Sequence, residues 1–210
     1  MNTFDEMAQL LERGKAKDLT ALVEQQLAAG VYPKDILTEG LIKGMSVIGE
    51  KFKNNEVFVP EVLIAARAMN MALKVLKPAL VNEGVQSIGT VVLCTVKGDL
   101  HDIGKNLVKI MMEGVGFNVV DLGVDCGADK IIDAIRRYNA DIVGLSSLLT
   151  TTMVNMKDII ESIDQAGLRD KVKIMIGGAP VTQQFADEIG ADAYTPDAAT
   201  AAEVAKAYCA

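Results

Sequence analysis

Thr90-Val91-Val92-Leu93-Cys94-Thr95-Val96 runs directly into Lys97-Gly98-Asp99-Leu100-His101-Asp102-Ile103-Gly104-Lys105. The first stretch is apolar and rich in β-branched residues, the composition of a buried strand. The second is a polar loop. From Gly104 the pattern turns helical, with Leu107, Val108 and Met111 at turn spacing. Strand, loop and helix in this order open a βα unit. His101 is the one histidine of the 210-residue chain, so any imidazole chemistry belongs to this loop. Asp99 lies two residues before it and can hydrogen-bond one ring nitrogen. The other nitrogen is then free for a metal.

The alternation continues downstream. Strands are predicted at about 90–96, 118–122, 141–146 and 173–177, with a weak fifth at 193–194. Helices fill the gaps at about 104–115, 129–138, 152–166, 181–189 and 198–207. Five such units predict a flavodoxin-like (Rossmann-like) parallel sheet with helices on both faces, in strand order 2-1-3-4-5. A ligand would then sit beyond the carboxyl ends of strands 1 and 3, where the order reverses. Three loops meet there: the one holding His101, Ser146-Ser147-Leu148-Leu149-Thr150-Thr151-Thr152, and Gly177-Gly178-Ala179-Pro180.

Residues 1–80 carry only helical patterns. A first helix is predicted from Thr3, as cap, to about Arg13, ended by Gly14. A second spans about 18–29 and stops at Gly30. A third runs from Pro33 to about Phe52 and is broken by Lys53-Asn54-Asn55-Glu56. A fourth starts near Pro60. Four helices with short connections predict a four-helix bundle. Val81–Ser87 reads as a linker, giving a helical region over 1–87 and an α/β region over 88–210.

Composition narrows the function. Half the residues are hydrophobic and the net charge is −7, so cores can form. No basic stripe recommends a nucleic-acid partner. No run of 18 apolar residues suggests a membrane span. The acidic, amphipathic start is unlike a signal peptide, so a cytoplasmic location is expected. Cys94, Cys126 and Cys209 are odd in number and lack a CxxC pattern, against a disulfide framework or zinc site. Cys94 is expected in the core. Cys126, near a loop, is expected to be a partly exposed thiol, and neither is given a role. The methionines, Met45, Met69, Met71, Met111 and Met112 among them, read as core filling. No Gly-x-Gly-x-x-Gly follows strand 1, which disfavours a dinucleotide site.

Asp-x-His-x-x-Gly alone is a weak motif. Here 41 residues, 105–145, separate it from Ser146-x-Leu148, and 28 residues, 149–176, separate that from Gly177-Gly178. This set resembles the cobalamin-binding fingerprint of the methionine synthase and corrinoid-protein superfamily. Gly44–Phe52, Phe58-Val59-Pro60-Glu61 and Ala65–Met69 resemble the helical cap that precedes the cobalamin domain there. The nearest form is the corrinoid methyl carrier of methylamine, methanol, betaine or aryl-ether methyltransferase systems.

The resemblance implies a cobalamin, methylcobalamin or a related corrinoid, whose own base has left cobalt and whose tail enters the sheet edge. His101 would ligate cobalt through its outer nitrogen. Asp99 would accept the inner N–H, and Thr152, where relatives often carry serine, would put a hydroxyl on that carboxylate. Gly98, Leu100, Asp102, Ile103 and Gly104 would line the cofactor. Ser146 and Thr150 would bond its tail, Leu148 would wall it, and Gly177 and Gly178 would let backbone approach it. Phe58 and Val62 would shield the methyl face, with 81–87 as hinge. Bland readings stand beside these: a turn aspartate for Asp99, helix caps for Ser146 and Thr152, a simple βα turn for Gly177-Gly178, and bundle core for Phe58.

The implied function is a methyl shuttle on cobalt. Its implied partners are a substrate:corrinoid methyltransferase, an acceptor methyltransferase and a reductive activase. Alternatives are a cobalamin photosensor, which normally adds a DNA-binding module, the small subunit of an adenosylcobalamin mutase, which leaves the helical half unexplained, and a flavodoxin-like module without cofactor.

Overall fold

The structure, a computed structural model, describes residues 2–209. The chain divides into two compact units. The first runs to Ser87 and includes Gly114–Gly116. The second comprises Ile88–Glu113 and the chain from Phe117 onward.

In the first unit, α1 (Thr3–Glu12), α2 (Ala16–Ala28), α4 (Lys43–Lys53) and α5 (Val59–Asn82) follow the predicted order. The predicted third helix is composite: a first turn, α3 (Pro33–Asp35), passes through a π-helical stretch, Ile36–Ile42, into α4. Within this run, Gly44 allows α1 to approach closely, since a Cβ there would sit 3.0 Å from the backbone of Ala8. The first cap is Asn2, not Thr3. The Asn2 side chain accepts from the Phe4 N–H, and asparagine is the stronger capping residue. On α5, Val62, Ala65, Ala66, Met69, Ala72, Leu76 and Leu80 form one buried stripe. This helix continues through Pro78 to Asn82, so the extended linker shortens to residues 83–87.

The second unit contains β1 (Thr90–Thr95), α6 (Ile103–Gly114), β2 (Asn118–Asp121), α7 (Ala128–Tyr138), β3 (Ile142–Ser146), α8 (Thr150–Met153), α9 (Asn155–Gln165), β4 (Lys173–Gly177), α10 (Gln183–Ile189), β5 (Ala193–Tyr194) and α11 (Ala198–Tyr208). All strand pairs are parallel and the order is β2-β1-β3-β4-β5, as the sequence predicts. The predicted helix over 152–166 is two helices meeting at Val154.

Alternation explains the core. Val92, Cys94 and Val96 face one side with Val143, Leu145, Ile174 and Ile176, against Ile131, Ile135, Ile159 and Ile163 of the helices. Cys126 is not an exposed thiol. It is fully buried because its backbone extends the sheet: it bridges Val96, and its N–H donates to the Thr95 carbonyl. No described helix is long and apolar enough to cross a membrane.

Register positions the site. Thr95 pairs with Ser146, and Ser146 with Gly177, so three strands end in one row. The loops leaving that row are the three the sequence singled out.

Ile131 of α7 is fully buried in this core. Ile131→Ala is expected to cost about 2–5 kcal/mol, measured by urea denaturation of the full chain. A loss below about 1 kcal/mol would show a site that collapses around the deletion.

Candidate functional site

Asp99 is fully buried beyond β1, where an unpaired charge would be prohibitively costly. Five donors and one further hydroxyl, that of Ser147, surround its carboxylate. Oδ1 accepts from the His101 backbone N–H at 3.0 Å and lies 2.7 Å from His101 Nδ1. Oδ2 accepts from the Leu148 N–H at 2.8 Å and the Thr152 hydroxyl at 2.8 Å. The Leu149 N–H, at 3.3 Å, and the Ser147 hydroxyl, at 3.2 Å, stand further off. Burial pushes the carboxyl up. The Leu148 and His101 N–H groups, the His101 ring and the Thr152 hydroxyl outweigh it and hold Asp99 well below the usual carboxylate range.

An ionised carboxylate only accepts, so Nδ1 carries the hydrogen that points at Asp99. In the neutral ring Nε2 is then an unprotonated donor to a Lewis acid. The His101 side chain is 52% exposed, so the ring is fixed at one end and open at the other. Leu100 (73% exposed), Ile103 (79%), Leu148 and Leu149 are large apolar side chains exposed from the same two loops.

Further contacts fix the His101 loop. The Thr95 hydroxyl donates to the His101 carbonyl at 2.9 Å. Asp125, held at φ +53°, accepts the Gly98 N–H at 2.7 Å and donates its own N–H to the Asp99 carbonyl. The Asn155 amide donates to the Lys97 carbonyl at 2.8 Å. At the start of α6, buried Lys105 donates to both oxygens of Asp121 at 2.7 and 2.8 Å. Burial pushes the Asp121 carboxyl up, but Lys105, the Gly123 N–H and Lys109 leave it lowered overall.

Of the residues named from sequence, the structure gathers Asp99, His101, Thr152 and the Leu148 backbone into one hydrogen-bonded cluster. Thr152 does not cap a helix. It lies inside α8, and its hydroxyl lies 2.8 Å from Asp99 and 3.1 Å from the Leu149 carbonyl. Ser146 ends β3 and Thr150 opens α8. Asp102 accepts from the Asn106 side chain at 3.0 Å. Gly98 has φ +81°, and Gly104 faces open space. A Cβ on Gly177 would come within 3.1 Å of the Thr195 carbonyl. Gly178 is required by the fold itself: its φ is +130°, and a Cβ would run into the Ser147 backbone. In the helical unit, Phe58 is 63% exposed, whereas Val62 is fully buried.

Sequence reading missed Ser147, Thr95, Asp125, Asn155 and the Lys105–Asp121 pair. Thr95 and Lys105 left the only usable trace, a polar side chain where strand or helix spacing calls for an apolar one. Ser147 looked like filler inside Ser146-x-Leu148.

A single imidazole nitrogen supplies one ligand. Among the described residues no group of three or more His, Cys, Asp or Glu could hold a metal ion. One braced imidazole with an open outer edge could supply a single ligand to a metal whose other positions are filled by its own macrocycle. The fold is a doubly wound α/β sheet, with this imidazole at its topological switch point.

The comparisons agree with that class. The B12 binding domain family matches residues 89–205, and a second B12 binding domain family matches residues 3–77. The chain is 44% identical over 188 residues to the trimethylamine corrinoid protein of Methanosarcina barkeri, covering 89% of this chain and 87% of that one. It is 40% identical over 207 residues to monomethylamine corrinoid protein 1 of Methanosarcina acetivorans, covering 96% and 95%. Among solved structures, the methanol:cobalamin methyltransferase complex of Methanosarcina barkeri superposes with a TM-score of 0.86 at 30% identity, over 99% of this chain and 79% of that one. A cobalamin-binding protein of Desulfitobacterium hafniense gives 0.82 at 31%, over 98% of each chain. The chain belongs to the corrinoid proteins with B12-binding domains.

Asp99 also makes stability depend on pH. Its folded pKa is depressed, so its contribution is present above the unfolded value of about 3.9 and lost as pH falls through the folded value. Asp99→Asn leaves surplus donors facing an amide. It is expected to destabilise the cofactor-free protein at pH 7 by about 1–3 kcal/mol. Denaturant melts across pH should show the gap to wild type narrowing below about pH 4. A gap constant with pH would contradict an ionised Asp99.

Proposed function

We propose that the chain is a methyl carrier: it holds a corrinoid through His101 and presents it in turn to a methyltransferase that loads it and one that unloads it. When bound, the corrinoid supplies a cobalt centre able to accept and donate a methyl group. The observation that carries this reading is the 2.7 Å contact between His101 Nδ1 and buried Asp99, which leaves Nε2 outward. The same relatives support a reading of the substrate class. Those named above are proteins of methylamine systems, and the superposing complex is a methanol:cobalamin methyltransferase. A methylamine-type donor is the reading we favour, with a reductive activase as third partner.

The protein's own work is to orient and to manage a proton. Asp99 fixes the tautomer and ring angle of His101. With Nε2 free of metal, that nitrogen would be open to a proton, and Asp99 beside Nδ1 would stabilise the charge. Thr152 keeps its hydroxyl on Asp99 through that change. Gly98, Leu100, Asp102, Ile103 and Gly104 flank the imidazole and line the corrinoid. Leu148 is its apolar wall. Ser146, Thr150 and Gly177-Gly178, at the ends of β3 and β4, would hold its tail.

The single histidine makes the test unambiguous. Protein made with isotopically labelled histidine and loaded with cobalamin is reduced to the cobalt(II) state. Its electron paramagnetic resonance spectrum should show the label in the nitrogen splitting. His101→Ala should remove that splitting and weaken cofactor retention by about 10–100-fold, a loss typical of disturbing a metal's ligand set. Splitting indifferent to the label would overturn the ligand assignment. Turnover against a panel of methylated amines, betaine and methanol, each with its methyltransferase, reads the donor.

A further inference from the structure

Ser147 carries a buried hydroxyl at the site to which the methyl-carrier reading gives no task. It is 1% exposed. Its Oγ lies 2.8 Å from Thr152 Oγ1, 3.2 Å from Asp99 Oδ2 and 3.2 Å from the Leu149 carbonyl. Two hydroxyl protons are therefore shared among several acceptors.

Chemistry decides where they go. The Thr152 proton has two acceptors within reach, Asp99 Oδ2 at 2.8 Å and the Leu149 carbonyl at 3.1 Å. The Leu149 carbonyl already accepts the Met153 and Thr152 N–H groups as the first turn of α8. The carboxylate is charged and nearer, so it takes the Thr152 proton. Thr152 Oγ1 then offers a lone pair, and Ser147 is 2.8 Å from it. A donor at that point polarises the Thr152 O–H and strengthens its bond to Asp99. It also blocks the rotation that would turn Thr152 toward Leu149.

We propose that Ser147 is a positioning residue for the cobalt-ligating imidazole: it donates to Thr152, Thr152 donates to Asp99, and Asp99 fixes His101. The backbone of Ser147 is set from the other side by Gly178, where no side chain fits. The proposal rests on His101 being the lower ligand, and it extends that unit from three side chains to four.

The test reads the strength of the axial bond. In full-length protein loaded with hydroxocobalamin, cyanide is titrated until the lower ligand is displaced, followed by visible absorbance. Ser147→Ala and Ser147→Cys, which keep side-chain volume but lack a strong donor, should lower the half-displacing cyanide concentration by about 3- to 10-fold. Thr152→Val should lower it too. Adding Ser147→Ala to Thr152→Val should lower it no further, because Ser147 acts through Thr152. Two results overturn the proposal: no change in either Ser147 variant, or an equal fall in the Thr152→Val background. Thermal melts of the cofactor-free variants separate a folding defect from a ligation defect, and the cysteine variant serves if the alanine variant does not fold. Failure of the ligand assignment is seen separately, in wild type, as cobalt(II) splitting blind to labelled histidine.

Discussion

One buried charge organises the α/β unit. Asp99 is ionised where water does not reach it, and it persists there because the chain spends backbone and side-chain donors from two loops on it. Those donors come from the His101 loop and from the turn between β3 and α8, so the carboxylate ties two strand ends together. An imidazole bonded to such a group is fixed in angle and tautomer without contacting anything on its outer side. The open edge and the fixed edge of His101 are two consequences of one arrangement.

The parallel sheet supplies the geometry for this. Thr95, Ser146 and Gly177 lie in register, which brings the three following loops to one edge with little freedom of placement. Gly178 can lie against the Ser147 backbone only because it lacks a side chain. The loop after β1 is restrained again by Asp125, Asn155 and Thr95. Rigid support of this kind keeps the imidazole at a defined position.

The sheet order and the Asp99–His101 pair were legible because both rest on periodic or strongly typed signals, whereas Thr152 came only through the resemblance. Alternating β-branched runs with helical spacing between them leave few topologies open. A lone histidine with an aspartate two residues back leaves few partners for the imidazole. Cys126 was misplaced because a loop reading hides a single bridging residue: its bond to Thr95 is made by backbone, to which the side chain gives no clue. Asn2 displaced Thr3 as the first cap because two good capping residues stand side by side and only the dihedral angles choose between them. The π-helical stretch at Ile36–Ile42 and the division at Val154 were equally invisible, being local departures that leave the apolar spacing intact. Ser147 was passed over for a further reason. Its role depends on two neighbours, one of them about fifty residues away in sequence.

That separation bears on how the protein comes into being. The Leu148, Leu149 and Thr152 donors lie 49, 50 and 53 residues beyond the carboxylate they satisfy. During synthesis, Asp99 leaves the ribosome long before any of them. A nascent chain that ends short of β3 cannot bury that charge, and the loop stays hydrated until the third strand docks beside the first. The braced imidazole therefore exists only once the sheet has closed, a condition set by chain length.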